Sequence, residues 1–176
     1  MSHMSPTDTP PAPTTPPAPQ PPPLSVRHIA ARLKAAEALA ELSTCTRRRF
    51  AAVIIDPDTR AVIADGYNGP PRNGPKLCGG EVCERDAQAI PSGSDLATGC
   101  YHAELNAILN AARQGAHTQG ALMLCTGAPC LACARAIYHA GISAVITRAG
   151  SYPIGEDAGR VFLSAYGVRI YYVASL

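Results

Sequence analysis

The sequence predicts an α/β fold, a three-layer α/β/α sandwich around a five-stranded mixed sheet. Two short apolar runs separated by a turn indicate a hairpin of buried strands early in the chain. Further on, short apolar runs alternate with segments of helical periodicity, which is typical of a sheet with helices on its faces. About 150 residues remain once a proline-rich start is set aside, enough for one domain with one core.

The first 23 residues are predicted to lie outside that domain. Residues 1–4 have the character of an expression-tag remnant, and residues 5–23 hold 10 of the 17 prolines in the chain. Such a composition offers little apolar surface to bury, so residues 1–23 are predicted to be a tag remnant with a disordered tail, and residues 24–176 the folded domain. A proline-rich ligand for a partner domain is the alternative interpretation.

The domain begins with a predicted helix and a hairpin. Ser25 is a suitable N-cap for a helix that ends near Ser43, because apolar residues then recur along one stripe. Residues 50–55 and 60–64 are predicted strands around a turn at 56–59.

A long Gly-, Pro- and Asn-rich loop is predicted from Gly66 to Gly99, and regular alternation follows it. The predicted elements after the loop are helix 101–114, strand 121–126, helix 129–140, strand 144–147, helix 155–166 and strand 168–173. The first of these helices is expected to bury one apolar face, made of Leu105, Ile108, Leu109 and Ala112.

Composition narrows the function classes. No apolar run approaches the ~20 residues of a membrane span, and no secretion signal opens the chain, so a cytoplasmic protein is expected. A net charge of +2, no Trp and only two Phe argue against a nucleic-acid partner. In a reducing compartment the seven cysteines are expected to bind metal more readily than to pair.

Two motifs open two predicted helices, His102-Ala103-Glu104 and Pro129-Cys130-Leu131-Ala132-Cys133. Cys130 and Cys133 are three residues apart, so both sulfurs point to one side of a first helical turn, where thiolates are stabilised. Pro129 is expected in that first turn. One imidazole and two thiolates are three ligands for a tetrahedral Zn²⁺, which leaves a fourth position for water.

Glu104 is not needed as a ligand and is predicted to be the catalytic proton carrier beside that water. The ordered pair of motifs matches the known signature of zinc deaminases. Taken singly, the Cys-x-x-Cys pair also fits a redox pair or half of a structural zinc site, and His-x-Glu occurs by chance.

From Thr44 to about Tyr152 the chain resembles the deoxycytidylate (dCMP) deaminase family, which has the cytidine deaminase-like fold. The resemblance rests on four segments: Cys45-Thr-Arg-Arg-Arg-Phe-Ala-Ala-Val-Ile, Asp65-Gly-Tyr-Asn-Gly-Pro-Pro, His102-Ala-Glu-Leu-Asn-Ala-Ile-Leu and Ala128-Pro-Cys-Leu-Ala-Cys-Ala-Arg-Ala-Ile. Asn106, in the third of these segments, also resembles the dCMP deaminase family at that position.

The resemblance implies a set of roles. His102, Cys130 and Cys133 would bind zinc, Glu104 would move protons, and Asn68 would contact the sugar or the base. Ala103 and Tyr152 are further predicted substrate contacts. The resemblance also implies a small nucleotide as partner and a homo-oligomer, of which a hexamer is one form. Ala51 departs from the family, which usually has Gly there, and we expect this change to reshape the nucleotide pocket.

Four more cysteines, Cys45, Cys78, Cys83 and Cys100, are candidates for a second, structural zinc on the long loop. Some members of the resembling family carry such a zinc. The alternative is that they are free surface thiols or form a disulfide. Cys125, in a buried strand pattern, is expected to be a core thiol.

Arg47, Arg48 and Arg49 follow the first helix, and one of them is predicted to clamp a monophosphate, whose geometry suits arginine. The alternative is that they complement the helix dipole.

The predicted reaction is deamination of a cytosine nucleotide, dCMP to dUMP and ammonia, by a zinc-activated water. Deamination of a modified cytosine or another small ring is the second interpretation. An inactive, zinc-stabilised interaction domain is the third, although a purely structural metal has no use for Glu104.

Overall fold

The computed structural model describes residues 21–70, 82–90, 100–148 and 156–174. In chain order these ranges form the helices and strands α1 (Val26–Ala40), β1 (Ala51–Ile55), β2 (Val62–Tyr67), α2 (Glu84–Ala87), α3 (Ala103–Arg113), β3 (Leu122–Cys125), α4 (Leu131–His139), β4 (Ala144–Arg148), α5 (Glu156–Ala165) and β5 (Arg169–Val173).

The strands form one mixed sheet in the order β2-β1-β3-β4-β5. β1 runs antiparallel to both of its neighbours, β2 and β3, whereas β3, β4 and β5 run parallel to one another. The tight turn after β1 allows an antiparallel neighbour, while the parallel strands need the crossover helices α4 and α5. The predicted five-stranded mixed sheet is confirmed.

Helices cover both faces of the sheet, because successive strand residues point to opposite sides. Val53 and Ile55 of β1 belong to an apolar cluster with α1. Ala52 and Ile54 belong to the other cluster, with α3, α4 and α5. The three-layer sandwich is therefore also confirmed.

The hairpin differs from its prediction at the second strand. β2 begins at Val62 and reaches Tyr67, so Gly66 lies in a strand and not in the predicted loop. Arg60, predicted to start this strand, lies in the turn with a positive φ of 62°. β2 extends this far because Ala51 and Ala52 of β1 continue the antiparallel pairing.

The buried face of α3 was predicted wrongly. Leu109 is 48% exposed, and the buried residues of the helix are Ala103, Glu104, Ala107 and Ala111. Small side chains face inward because α3 lies very close to β2: a Cβ atom on Gly66 would come within 2.4 Å of the backbone nitrogen of Ala107. Leucines on that face would push the helix off the sheet.

Part of the predicted long loop is helical, since α2 lies within it. Residues 71–81 and 91–99 of the same predicted loop, and most of the predicted 1–23 tail, lie outside the described residues. Among the described helices, none has both the length and the apolar character of a membrane-spanning segment.

Candidate active site and metal centre

His102 occupies the N-cap position of α3 in an extended conformation. The residue before it, Tyr101, forms an isolated antiparallel bridge with Gly69, just beyond the end of β2. The imidazole is therefore held between the sheet edge and the first turn of a helix that packs on the sheet. Sequence reasoning placed His102 at the start of a helix, and the structure confirms that position.

Cys130 is the N-cap of α4, and Cys133 lies in its first turn and is buried. The prediction that Pro129 occupies the first helical turn is wrong, because the helix begins at Leu131. β3 ends at Cys125, so a short connection brings both thiols to the carboxyl end of the parallel strands, where open α/β sheets commonly bind ligands.

The three predicted ligands come together at this edge. Nδ1 of His102 lies 3.4 Å from the Sγ atoms of both Cys130 and Cys133. Standard Zn–N and Zn–S distances in a tetrahedral site place such atoms ~3.6 Å apart. All three ligand atoms lie within 4.8 Å of one another, and no other His, Cys, Asp or Glu of the described residues joins the group. This donor set fits a zinc ion with one position open.

The pKa values of the two thiols are shifted in opposite directions. A hydrogen bond from Cys133 lowers the pKa of Cys130 to about 4, while the same hydrogen bond, with burial, raises the pKa of Cys133. The hydrogen bond to Cys130 also raises the pKa of His102. A cation that enters the site must therefore displace a proton to obtain two thiolates and a neutral imidazole.

Glu104 is the second residue of α3, in its first turn, and is only 7% exposed. Burial raises the pKa of its carboxyl group, and the charge of His102 partly offsets that effect. Glu104 is thus a buried carboxyl group beside the metal ligands but not among them. The sequence predicts this placement for a proton carrier.

Asn68 is buried beside the start of β1, and its side chain joins two backbone groups there. Oδ1 accepts a 2.7 Å hydrogen bond from the N–H of Phe50, and Nδ2 donates a 2.9 Å hydrogen bond to the carbonyl of Arg48. The hydroxyl of Ser43 donates to the Asn68 carbonyl at 2.7 Å. Asn68 thus fixes the segment that carries the three arginines, and its contact with a substrate remains a prediction.

Two of the three arginines form ion pairs at the protein surface. Arg47 pairs at 3.4 Å with Asp86, which lies in α2, and Arg49 pairs at 2.8 Å with Glu41, which follows α1. Arg48 supplies the carbonyl that Asn68 binds. The backbone that carries the three arginines is therefore tied to one buried amide, and a phosphate contact from one of their side chains remains a prediction.

Other predicted site residues are placed as follows. Ala103 is buried as the first residue of α3, between His102 and Glu104. Tyr152 lies outside the described residues. Ala51, expected to reshape the pocket, instead packs in the cluster beneath α1, on the sheet face opposite α3 and α4. The expectation was wrong because the alternation of β1 turns that methyl group away from the metal centre.

The second predicted zinc site is not assembled among the described residues. Cys45 and Cys83 are free thiols outside any metal-ligating group. Cys100 is disulfide-bonded, so its sulfur is not a thiolate ligand in this structure, and Cys78 lies outside the described residues. A second zinc stays a prediction. Cys125 is 1% exposed in β3, which confirms it as a core thiol.

Gly159 belongs to the site's support and was not recognised from the sequence. It lies inside α5, against the backbone of Pro129 and Cys130. The available signal was a glycine in the middle of a predicted helix, which costs ~1 kcal/mol relative to alanine and usually has a packing reason.

Comparison with known proteins agrees with this geometry. Residues 27–149 match the family described as the cytidine and deoxycytidylate deaminase zinc-binding region. The deoxycytidylate deaminase of Schizosaccharomyces pombe is 35% identical over 139 residues, which are 78% of this chain and 41% of that protein. The deoxycytidylate deaminase of enterobacteria phage T4 is 30% identical over 144 residues, 65% of this chain and 74% of the phage protein.

The fold likeness extends to a crystal structure, that of dCMP deaminase from cyanophage S-TIM5 in complex with dCMP and dUMP. Its TM-score is 0.70 at 27% identity, covering 85% of this chain and 99% of the phage chain. The chain spans less than half the length of the S. pombe relative. With the family match over residues 27–149 and the His-Cys-Cys group in place, the chain belongs to the cytidine and deoxycytidylate deaminase family that shares this zinc-binding region.

Proposed function

We propose that this protein deaminates dCMP hydrolytically to dUMP and ammonia. The observation that carries the proposal is the His102-Cys130-Cys133 group with buried Glu104 beside it, on the fold of a phage dCMP deaminase. When bound, zinc would act as a Lewis acid and lower the pKa of a coordinated water.

In the reaction, the oxygen of a water molecule bonds to C4 of cytosine, the bond from C4 to the exocyclic nitrogen breaks, and uracil and ammonia result. Glu104 takes one proton from the water and delivers it to N3 of the ring, then takes the second proton from the hydroxyl group now on C4 and delivers it to the departing amine. Its burial supports this role, because an environment that raises the pKa of a carboxyl group favours the protonated form that a proton carrier needs midway.

Substrate recognition is assigned to the segment that Asn68 holds. Asn68 would contact the sugar or base, and one of Arg47, Arg48 and Arg49 would bind the monophosphate. The support is their shared placement: the Asn68 side chain binds the backbone at Arg48 and Phe50, so the amide and the arginines are fixed relative to each other. Arginine binds a phosphate through two parallel hydrogen bonds, which a nucleoside cannot provide.

Assembly and location complete the proposal. A homo-oligomer, a hexamer being one form, is supported by a pair of aromatic rings in contact, Tyr138 on α4 and Tyr166 just after α5, which are 39% and 53% exposed. We also propose a cytoplasmic location, because thiols that bind a metal persist in a reducing compartment, where the disulfide of Cys100 would be expected to open. Sedimentation analysis and cell fractionation test these two points.

The deciding experiment measures ammonia release from cytosine, deoxycytidine, dCMP and dCTP, and from 5-substituted cytosine nucleotides, with the zinc-loaded protein. We expect dCMP to be the best substrate. Turnover of only a modified cytosine would move the protein to the second interpretation. No turnover of any compound with zinc bound would support the interaction-domain alternative.

A further inference from the structure

The outer edge of β2 is the feature that carries this inference. β2 is an edge strand of the sheet, so it pairs with a neighbouring strand, β1, along one side only. Asn68, just beyond β2, donates its backbone N–H to the carbonyl of Phe50 before β1. Since backbone groups alternate along a strand, the carbonyls of Asp65, Tyr67 and Gly69 point away from β1. Edge groups of this kind are normally open to water or to another chain.

Here α3 and Tyr101, two residues before the helix, occupy that edge. Asn110 donates from Nδ2 to the carbonyl of Asp65 at 2.7 Å, and Asn106 donates from Nδ2 to the carbonyl of Tyr67 at 2.8 Å. Tyr101 and Gly69 exchange two backbone hydrogen bonds of 2.8 and 3.1 Å. Each of these three outward carbonyls thus has a partner, in antiparallel order, and we call these three contacts the edge ladder.

The spacing of the edge ladder allows a single register. Asn106 and Asn110 are one helical turn apart, and four residues of helix rise ~6.0 Å. Asp65 and Tyr67 lie on the same side of the strand, two residues or ~6.8 Å apart. A helix displaced by one residue along its axis would turn both amides ~100° away from the strand.

The short asparagine side chains reach the strand because nothing separates helix from strand at Gly66. A Cβ atom there would come within 2.4 Å of the Ala107 nitrogen and 2.7 Å of the Ala103 carbonyl oxygen. Both asparagines make these contacts at the protein surface, so their removal leaves no cavity in the core.

We propose that Asn106 and Asn110 are positioning residues, which set the axial register of α3 and thereby the place of His102 and Glu104. The third contact of the edge ladder shows why register matters: it joins Tyr101, next to His102, to Gly69, next to Asn68. The ladder therefore sets the distance from the metal ligand and proton carrier to the predicted substrate contact. The expected effect on catalysis rests on the proposed function, whereas the expected effect on metal binding does not.

The test replaces the donors without changing side-chain shape. Asn106→Asp and Asn110→Asp, singly and together, place a carboxylate oxygen against a carbonyl oxygen. Asn106→Ala and Asn110→Ala remove the donors without adding charge, and serve if an Asp variant does not fold. Arg113→Gln, on the exposed last turn of the same helix, is the matched control.

Each protein is loaded with Co²⁺, whose visible absorption reports ligand geometry, and its affinity for Zn²⁺ is measured by chelator competition. We expect the donor-free variants to shift the cobalt spectrum and to lose about tenfold or more in zinc affinity, the usual effect of losing a group that orients a metal ligand. Their kcat for dCMP should fall more than KM rises. Asn106→Gln keeps the amide and should restore part of the loss, and Arg113→Gln should match the parent.

Folded donor-free variants with the parent's cobalt spectrum and zinc affinity, and only a lower Tm, would overturn the proposal and leave the edge ladder a purely structural feature. Because the metal measurements need no nucleotide, they decide the matter even if the parent protein proves inactive on dCMP.

Discussion

Gly159, in the first turn of α5, lies directly against Pro129, so that a Cβ atom at position 159 would come within 2.2 Å of the Pro129 carbonyl oxygen. The same Cβ would lie 3.1 Å from the carbonyl carbon of Cys130. The helix that follows β4 therefore presses on the backbone that presents the first thiol of the metal centre.

Gly159→Ala is expected to weaken zinc binding as well as the fold. Alanine gains ~1 kcal/mol in helix propensity, but the added methyl group meets backbone that cannot move without shifting Cys130. We expect a net loss of ~1–3 kcal/mol in the free energy of unfolding, measured with denaturant, and weaker zinc binding by chelator competition. Ser164→Ala, on the exposed side of α5, should change neither, and a stabilised Gly159→Ala variant would show that the contact yields.

Glu104→Gln is expected to abolish most of the activity while the metal stays bound. The amide matches the carboxyl group in size but cannot accept and return a proton, and general acid–base catalysis contributes ~10²–10⁴-fold. The measurements are kcat/KM for dCMP and zinc content, with Glu104→Ala as a second variant. Loss of zinc would identify Glu104 as a ligand, and parent-like turnover would exclude it as the proton carrier.

Zinc affinity is expected to rise with pH. In the metal-free site the pKa of Cys133 is raised and that of Cys130 is about 4, so near neutral pH the former carries a proton and the latter does not. Binding must expel the Cys133 proton, and some from His102, whose pKa is also raised. The bound form holds fewer protons, so lower pH weakens binding, by about tenfold per unit for each proton released.

Chelator competition between about pH 6 and pH 8 measures this slope, since that range brackets the ordinary histidine pKa. Proton release on adding zinc to weakly buffered protein gives the same number independently. A flat profile would mean that both thiols are already ionised before the metal arrives.

A preference for the monophosphate is expected if one arginine clamps the phosphate. A charge-assisted contact is worth ~1.5–3 kcal/mol, so kcat/KM for dCMP should exceed that for deoxycytidine by at least about tenfold. We expect single alanine substitutions at Arg47, Arg48 and Arg49 to lower the ratio of kcat/KM for dCMP to kcat/KM for deoxycytidine at one position only. The turnover of deoxycytidine should not change. Lysine there should rescue in part, because it keeps the charge and loses the fork.

Equal efficiency on dCMP and deoxycytidine would exclude phosphate recognition. If dCMP is preferred and all three alanine variants keep the parent's ratio of kcat/KM for dCMP to kcat/KM for deoxycytidine, the phosphate contact lies elsewhere in the chain.

The sequence by itself determined the order of the elements other than the short helix α2, the strand composition of the sheet and the metal-ligand set. These depend on local signals: apolar periodicity separates helices from strands, and the spacing in Cys130-Leu-Ala-Cys133 places two thiols on one turn. The same patterns placed His102 and Cys130 at the starts of two helices, but both helices begin later than predicted, at Ala103 and Leu131, so that each of the two ligands is an N-cap.

Only the tertiary structure decided which faces are buried and what supports the site. Leu109 is apolar yet exposed, and Ala107 is buried, because the close approach of α3 to Gly66 leaves room only for small side chains. Ala51 faces away from the metal centre for an equally non-local reason. The neighbouring elements fix the orientation of β1, and with it the face of the sheet to which each side chain points. Contacts such as Asn106 with Tyr67 and Gly159 with Pro129 join residues far apart in the chain, and no local pattern encodes a distance between them.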